Sequence, residues 1–480
     1  MPTTRSQARH SRLPATDHRV GINRLPPEVL SEVFVICDRT WSPFDGYWTV
    51  FAPQTAACRH WRKVAIDTTA LWTRVTLLDR PPWDFSKLCL LRSGPTALLD
   101  IDINMNESFW VNTEEGTLHE CVQRAKDAFA FIIKHGGVPS RWRSFAILID
   151  TFLVQLATID VLQQSVFPSL TSLEMQFTGP YEFDDEDEFE LVEHIQSQPK
   201  LLFQEPPPQL RSVKLQGVPV PYLFGHRAHP QLVSLTHLEL RFEGLYPRLT
   251  DLNKMLSANL NLESLRLNSE TIGQPLQLEL KILPQVRLPR LKALAFINVA
   301  SQLWTLHAIK MLDAPNVTAF ELILGTLSYE SHREYAGIQT LIGHITGDVN
   351  QETPTPRFPA LTSLTLASEM TLGFKHITAG VLAAYPGIKE LRLPLCPSLS
   401  PLLQRPWLAP GLERLRVGVQ NLVQLKKVVN SRCKAGLPLR TVLVDDLELT
   451  AKVKPSDRAQ LRKYVEFTRV SDDGEPLDDN

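Results

Sequence analysis

The chain has almost no excess of either charge: 50 Lys and Arg stand against 52 Asp and Glu, a formal net charge of −2. That balance gives bulk electrostatics no pull toward nucleic acid or an anionic membrane surface, so neither is expected as a partner. No apolar run approaches the ~20 residues a bilayer-spanning helix needs. The opening stretch, MPTTRSQARHSRLPATDHRV, lacks the apolar segment of a secretory signal, so an intracellular place, cytoplasmic, nuclear or both, is expected. Cysteine is sparse and scattered over Cys37, Cys58, Cys89, Cys121, Cys396 and Cys433, with no Cys-x-x-Cys pair. That spacing suits free thiols in a reducing compartment and excludes a cysteine zinc module or a disulfide framework.

The short signatures of catalysis are missing too. There is no G-x-x-x-x-G-K-[ST], G-x-G-x-x-G, H-E-x-x-H or G-x-S-x-G. His135-Gly136-Gly137 has no nucleophile elbow to serve and reads as a helix stop. Cys58-Arg59-His60 reads as a cysteine packed on an apolar stripe beside a solvated histidine. The acidic run Asp184 to Glu190 lacks the spaced ligands and turn glycine of a calcium loop, and reads as solvated. No catalytic residue, metal ligand or cofactor is predicted, and the chain is not expected to be an enzyme.

What is present is ample apolar material. Of the 480 residues, 43% are hydrophobic and 21% charged, enough for two or three domains or for a small module before a long repeat array. The stretch from Leu25 to Trp72 reads as such a module. Pro26 and Pro27 suit the first turn of a helix. Val29, Leu30, Val33, Phe34 and Cys37 then form one apolar stripe at helical spacing, and Ala57, Cys58, Trp61, Val64 and Ala65 form a second. The pair carries more large apolar surface than it can bury alone, which points to a partner.

Behind the module the chain repeats itself. Hexamers of the form apolar-x-x-apolar-x-apolar begin at residues 170, 210, 235, 262, 291, 317, 361, 388, 412 and 439, many introduced by proline. In each, the last two apolar residues point to a core while the residue between them points away. The outward residues make one row: Glu174, Lys214, Glu239, Arg266, Ala295, Glu321, Thr365, Arg392, Arg416 and Leu443. Acidic side chains dominate its first part, and Arg392 with Arg416 are expected to form a basic patch. Helical patterns lie between hexamers at 250–260, 303–312, 377–385 and 421–432. A strand with its returning helix cannot bury its apolar face alone, but stacked copies share one core.

The N-terminal unit resembles an F-box. The residues that carry the likeness are Leu25, Pro26, Glu28, Val29, Leu30 and Phe34, then Cys58, Trp61, Arg62, Leu71 and Trp72. The segment from Asp38 to Pro53, rich in aromatics and proline, departs from the family's leucine-rich middle helix. Seven of the nine hexamer intervals fall within the roughly 20–29 residue period of leucine-rich repeats. The array is similar to the irregular repeats behind F-boxes in many fungal proteins, although the asparagine that ends each repeat strand is mostly missing. The fold expected is therefore α/β: a small helical F-box followed by a leucine-rich-repeat solenoid of strand-helix units.

Residues 1–20 would be a disordered basic arm and 21–76 the F-box-like module. Residues 77–470 would be the solenoid, with insertions near 178–205 and 325–357, and 471–480 an acidic disordered tail. The resemblance implies the substrate-recognition subunit of an SCF-type cullin-RING ubiquitin ligase. Leu25, Pro26, Val29, Leu30, Val33 and Phe34 would bind a Skp-family adaptor and, through it, a cullin. Glu174, Lys214, Glu239, Arg266, Glu321, Arg392 and Arg416 on the concave face would hold the substrate protein. The alternative is a non-catalytic interaction scaffold not coupled to ubiquitin transfer.

Overall fold

The structure, a computed structural model, describes residues 25–39, 56–78, 81–105, 118–179, 201–224, 230–242, 246–269, 283–325, 332–347, 355–368, 374–396, 398–419, 422–445 and 459–470. The arm at 1–20, the run Asp184 to Glu190, the segment 40–53 and the tail at 471–480 lie outside them.

The chain begins with α1 (Pro27–Arg39), which starts on a proline as a missing N–H permits. α2 (Arg59–Asp67) comes next, then a 3-10 turn, Thr69–Trp72. Cys58 is not packed on the stripe as expected. It is the N-cap of α2, and its sulfur accepts from Trp61 N at 3.4 Å. Thr68 ties the unit together: its hydroxyl donates to Val64 O at 2.7 Å and lies 3.0 Å from Ser31 Oγ of α1. The buried Trp72 indole donates to Ala65 O and Ile66 O, 3.2 and 3.1 Å away. Its ring carries the Arg92 guanidinium at 4.3 Å and meets Phe85 at 6.3 Å. Both partners belong to α3 (Asp84–Arg92). Trp72 thus joins the helical unit to the first covering helix of the array, and the boundary placed at residues 76–77 falls inside the first strand, β1 (Arg74–Leu77).

Among the described residues, fourteen strands form one sheet in strictly sequential order, every pair parallel. They are β1, β2 (Leu99–Met105), β3 (Trp142–Ile149), β4 (Ser172–Phe177), β5 (Ser212–Gln216), β6 (His237–Arg241) and β7 (Ser264–Asn268). After β8 (Val286–Arg287) comes β9 (Ala293–Val299), and after β10 (Leu312–Asp313) come β11 (Ala319–Leu324), β12 (Ser363–Ser368) and β13 (Glu390–Cys396). β14 (Arg414–Val419), β15 (Thr441–Asp445) and β16 (Glu466–Val470) end the sheet, while β8 and β10 pair only with each other.

The hexamers explain this order. Their first apolar residues, from Leu170 and Leu210 to Leu412 and Leu439, are buried in the turn that precedes each strand. Several close that turn with the same i to i+3 bond, such as Leu262 N to Asn259 O and Leu361 N to Phe358 O. Threonine hydroxyls then stitch successive strand starts: Thr171 donates to Arg143 O at 2.9 Å, Thr236 to Arg211 O at 3.1 Å and Thr318 to Lys292 O at 3.3 Å.

Alternate strand residues sink into the core, as Leu173, Met175 and Phe177 do in β4. Helices cover them: α4 (Leu118–Lys134), α5 (Phe152–Gln163), the short α6 (Val220–Phe224), α7 (Leu249–Ser257), α8 (Gln302–Lys310), α9 (His332–Thr346), α10 (Phe374–Ala384) and α11 (Leu422–Lys434). α4 packs on α5, α8 on α9 and α9 on α10, so one apolar cluster runs from Leu30 to Phe467.

Parts of both segments expected to hold insertions are among the described residues. Within 325–357 the chain forms α9, whose Ile338, Leu341, Ile342 and Ile345 are buried at i, i+3, i+4 and i+7. This is a regular covering helix hidden in polar company. At the end of 178–205, Leu202 and Phe203 lie in the core, and Phe203 N donates to Gln231 Oε1 at 2.8 Å.

Candidate functional site

Two surfaces answer to the residues singled out in the sequence. The first is α1. Its apolar positions divide into two adjoining stripes. Leu30, Phe34 and Val35 are fully inside the chain, with the Phe34 ring 5.2 Å from that of Trp61. Pro26, Val29, Ile36 and Cys37 are exposed and Val33 is half-buried, at spacings of three and four that keep them on one side. Val29 is 45% and Ile36 59% exposed, a large apolar load for water. Leu25 is half-buried against the core. The adaptor-facing set expected from the sequence is therefore corrected. Leu30 and Phe34 have no surface to offer, because the helix needs them to hold α2. Ile36 and Cys37, outside that set, are exposed beside Val29 and Val33.

The second surface is the outward face of the sheet. Glu174, Lys214, Glu239, Arg266, Ala295, Glu321, Thr365, Arg392, Arg416 and Leu443 are successive Cα partners in one register row. The row runs on through Ala146, Asp102 and Thr76 at one end and Thr468 at the other. Side chains one strand apart on a face are close enough to interact, and here they neutralise one another. Lys214 Nζ meets Glu174 Oε1 at 2.8 Å. Arg266 stands between two carboxylates, 2.6 Å from Glu321 Oε2 and 3.9 Å from Glu239 Oε1. Arg416 Nε lies 2.5 Å from Oδ1 of the buried Asp445. Beside the row Arg143 binds Asp100, Arg414 binds Glu390 at 2.5 Å, and Arg440 binds Glu413 at 3.2 Å.

The expected division into an acidic first part and a basic Arg392–Arg416 patch does not survive these pairs. The carboxylates of the first part carry their own cations, and Arg416 is spent on Asp445. Arg392 alone in the row has no ion pair among the described residues, and its buried Nε has no hydrogen-bond partner.

Asp102, which the row reaches through Ala146 before Glu174, is the most perturbed group on this face. Burial pushes its carboxyl up to about 6, outweighing the attraction of Arg74, whose Nε is 2.6 Å away. Its position was legible: Asp100, Asp102 and Asn104 are the outward residues of the alternating LDIDINM. Two further arginines are buried without carboxylates. Arg141 donates to Ala97 O at 2.9 Å and to Gly136 O and Gly94 O, each at 2.6 Å. Arg432 donates to Ala409 O at 3.0 Å and Pro410 O at 3.2 Å. Burial lowers the pKa of both. They clamp turns by their carbonyls, which makes them parts of the scaffold.

Among the described residues, no helix is long and apolar enough to cross a membrane, and no three His, Cys, Asp or Glu gather where they could hold a metal ion. Compared with known proteins, the chain matches no family model and no curated sequence.

Proposed function

We propose that the chain is the substrate-recognition subunit of an SCF-type cullin-RING ubiquitin ligase. Its N-terminal unit acts as the F-box that docks a Skp-family adaptor, and its leucine-rich-repeat-like sheet face receives the substrate protein. The observation that supports this most is the outer stripe of α1. A helix that has filled its inner side with Leu30 and Phe34 still turns Pro26, Val29, Val33, Ile36 and Cys37 to solvent. Apolar side chains in such a row bind a partner by removing a few large groups from water. The chain itself makes no bond. It holds its substrate close to the ubiquitin-charged enzyme of the assembly and so raises their effective concentration.

The test is co-purification of the full chain with adaptor and cullin, beside Val29→Asp combined with Ile36→Asp. Charges on two exposed positions leave the core alone, so the variant folds, as circular dichroism will verify. Adaptor and cullin are expected with the parent and not with the variant. Equal capture by both would defeat the reading. Adaptor without cullin would favour a scaffold uncoupled from ubiquitin transfer.

A further inference from the structure

Among the described residues, nothing closes the rung of the sheet at Arg392. Arg392 and Arg416 are direct Cα partners on parallel strands, about 4.8 Å apart. Like charges placed so are unfavourable, and Arg416 leans onto Asp445 in the next strand. Among the described residues no carboxylate does the same for Arg392. Its other neighbour in the row is Thr365, a neutral hydroxyl. Its Nε is buried and without an acceptor among the described residues, which costs free energy within the fold. Elsewhere on this face cations stand within reach of carboxylates of the chain, as Lys214, Arg266, Arg414 and Arg440 do. With Arg416 paired to Asp445, the described residues of the rung leave the positive charge of Arg392 uncompensated.

We infer that Arg392, with Thr365 beside it, is the anchor point for a single carboxylate of an acidic peptide segment in the partner protein. This deepens the reading of the sheet face as the substrate surface and rests on it. The charge decides the class of ligand. One carboxylate balances one uncompensated guanidinium, whereas a phosphate dianion would bring a second negative charge toward Asp445. The two terminal nitrogens of the half-buried Arg392 guanidinium can donate to both carboxylate oxygens, while Nε stays buried beneath them. The carboxylate supplies the counter-charge that the described residues do not.

The experiment measures fluorescence anisotropy of a labelled glutamate-rich peptide on the full chain without adaptor. Two companion peptides carry glutamine or phosphoserine in place of glutamate. The glutamate peptide is expected to bind, the glutamine peptide not to, and added salt to weaken the complex. Arg392→Gln should weaken it about tenfold or more, the worth of one charge-assisted hydrogen bond. Arg414→Gln, whose partner Glu390 lies on the same strand as Arg392, should leave it within about twofold, as befits an exposed pair. Both positions are at least partly exposed, so both variants should keep the parent's circular dichroism. Full affinity in Arg392→Gln, equal binding of the glutamine peptide, tighter binding of the phosphoserine peptide, or no binding of the glutamate peptide would each overturn the assignment. Because no adaptor is present, the outcome is independent of the α1 test: peptide capture can stand where adaptor docking fails, and the reverse.

Discussion

The two stripes of α1 make opposite demands on mutation, and Phe34→Ala against Val29→Ala separates them. Phe34 is 2% exposed and stacks near Trp61. Deleting such a ring costs about 3–5 kcal/mol, because the lost transfer energy adds to a cavity that the neighbours fill only in part. Val29 is 45% exposed, and its truncation should cost no more than about 0.5 kcal/mol. The loss at Phe34 falls on the contact between α1 and α2, far along the chain from the later strands, so it should appear as local opening. Hydrogen exchange by mass spectrometry reads this directly. In Phe34→Ala, peptides covering 59–72 should lose protection by a factor of about a hundred or more, the equivalent of about 3 kcal/mol. Peptides from β9 to β12 should exchange as in the parent. In Val29→Ala both regions should be unchanged while adaptor capture falls. Unchanged protection over 59–72 in Phe34→Ala, or an equal loss in Val29→Ala, would refute the assignment of inner and outer stripes.

Two further outcomes concern the core and the sheet face. Asp102 titrates at about 6 in the folded chain against an ordinary value of 3.8, because burial disfavours its charge more than Arg74 favours it. The folded state therefore holds that proton more tightly than the unfolded one, so stability falls as pH rises from 3.8 to 6, by about 3 kcal/mol at 1.36 kcal/mol per unit. Urea unfolding of Asp102→Asn against the parent, at steps across that window, should show the variant gaining relative stability as pH rises; a constant difference would refute the shift. Leu341→Ala in α9 should cost about 2–5 kcal/mol in the same measurement, since Leu341 is fully buried. A change within about 0.5 kcal/mol would mean that 332–346 lies outside the core after all.

Much of this architecture is local and therefore legible. A strand alternates its side chains whatever it pairs with, so one hexamer form repeated down the chain already says which residues share a row. The helices at 249–257 and 374–384 announce themselves by apolar spacing. Others do not. α5 is buried on so many sides, at Phe152, Val154, Gln155, Ala157, Thr158, Ile159 and Leu162, that its apolar pattern has no face to reveal. α9 has such a face, but its polar company masks it.

The sequence by itself determined the period of the array, the inward and outward positions of each strand and the apolar excess of the first helix, because each depends only on residues a few places apart. Tertiary structure decided the rest. Whether Leu30 and Phe34 or Val29 and Ile36 face inward depends on where α2 docks, since adjoining stripes on one helix have equal claims until a neighbour arrives. Which charges on the sheet are already taken depends on partners far apart in sequence, as with Arg266 and Glu321, 55 residues distant. An ion pair is a matter of distance in space. Only the folded sheet brings Asp445 to Arg416 and sets the neutral Thr365 beside Arg392.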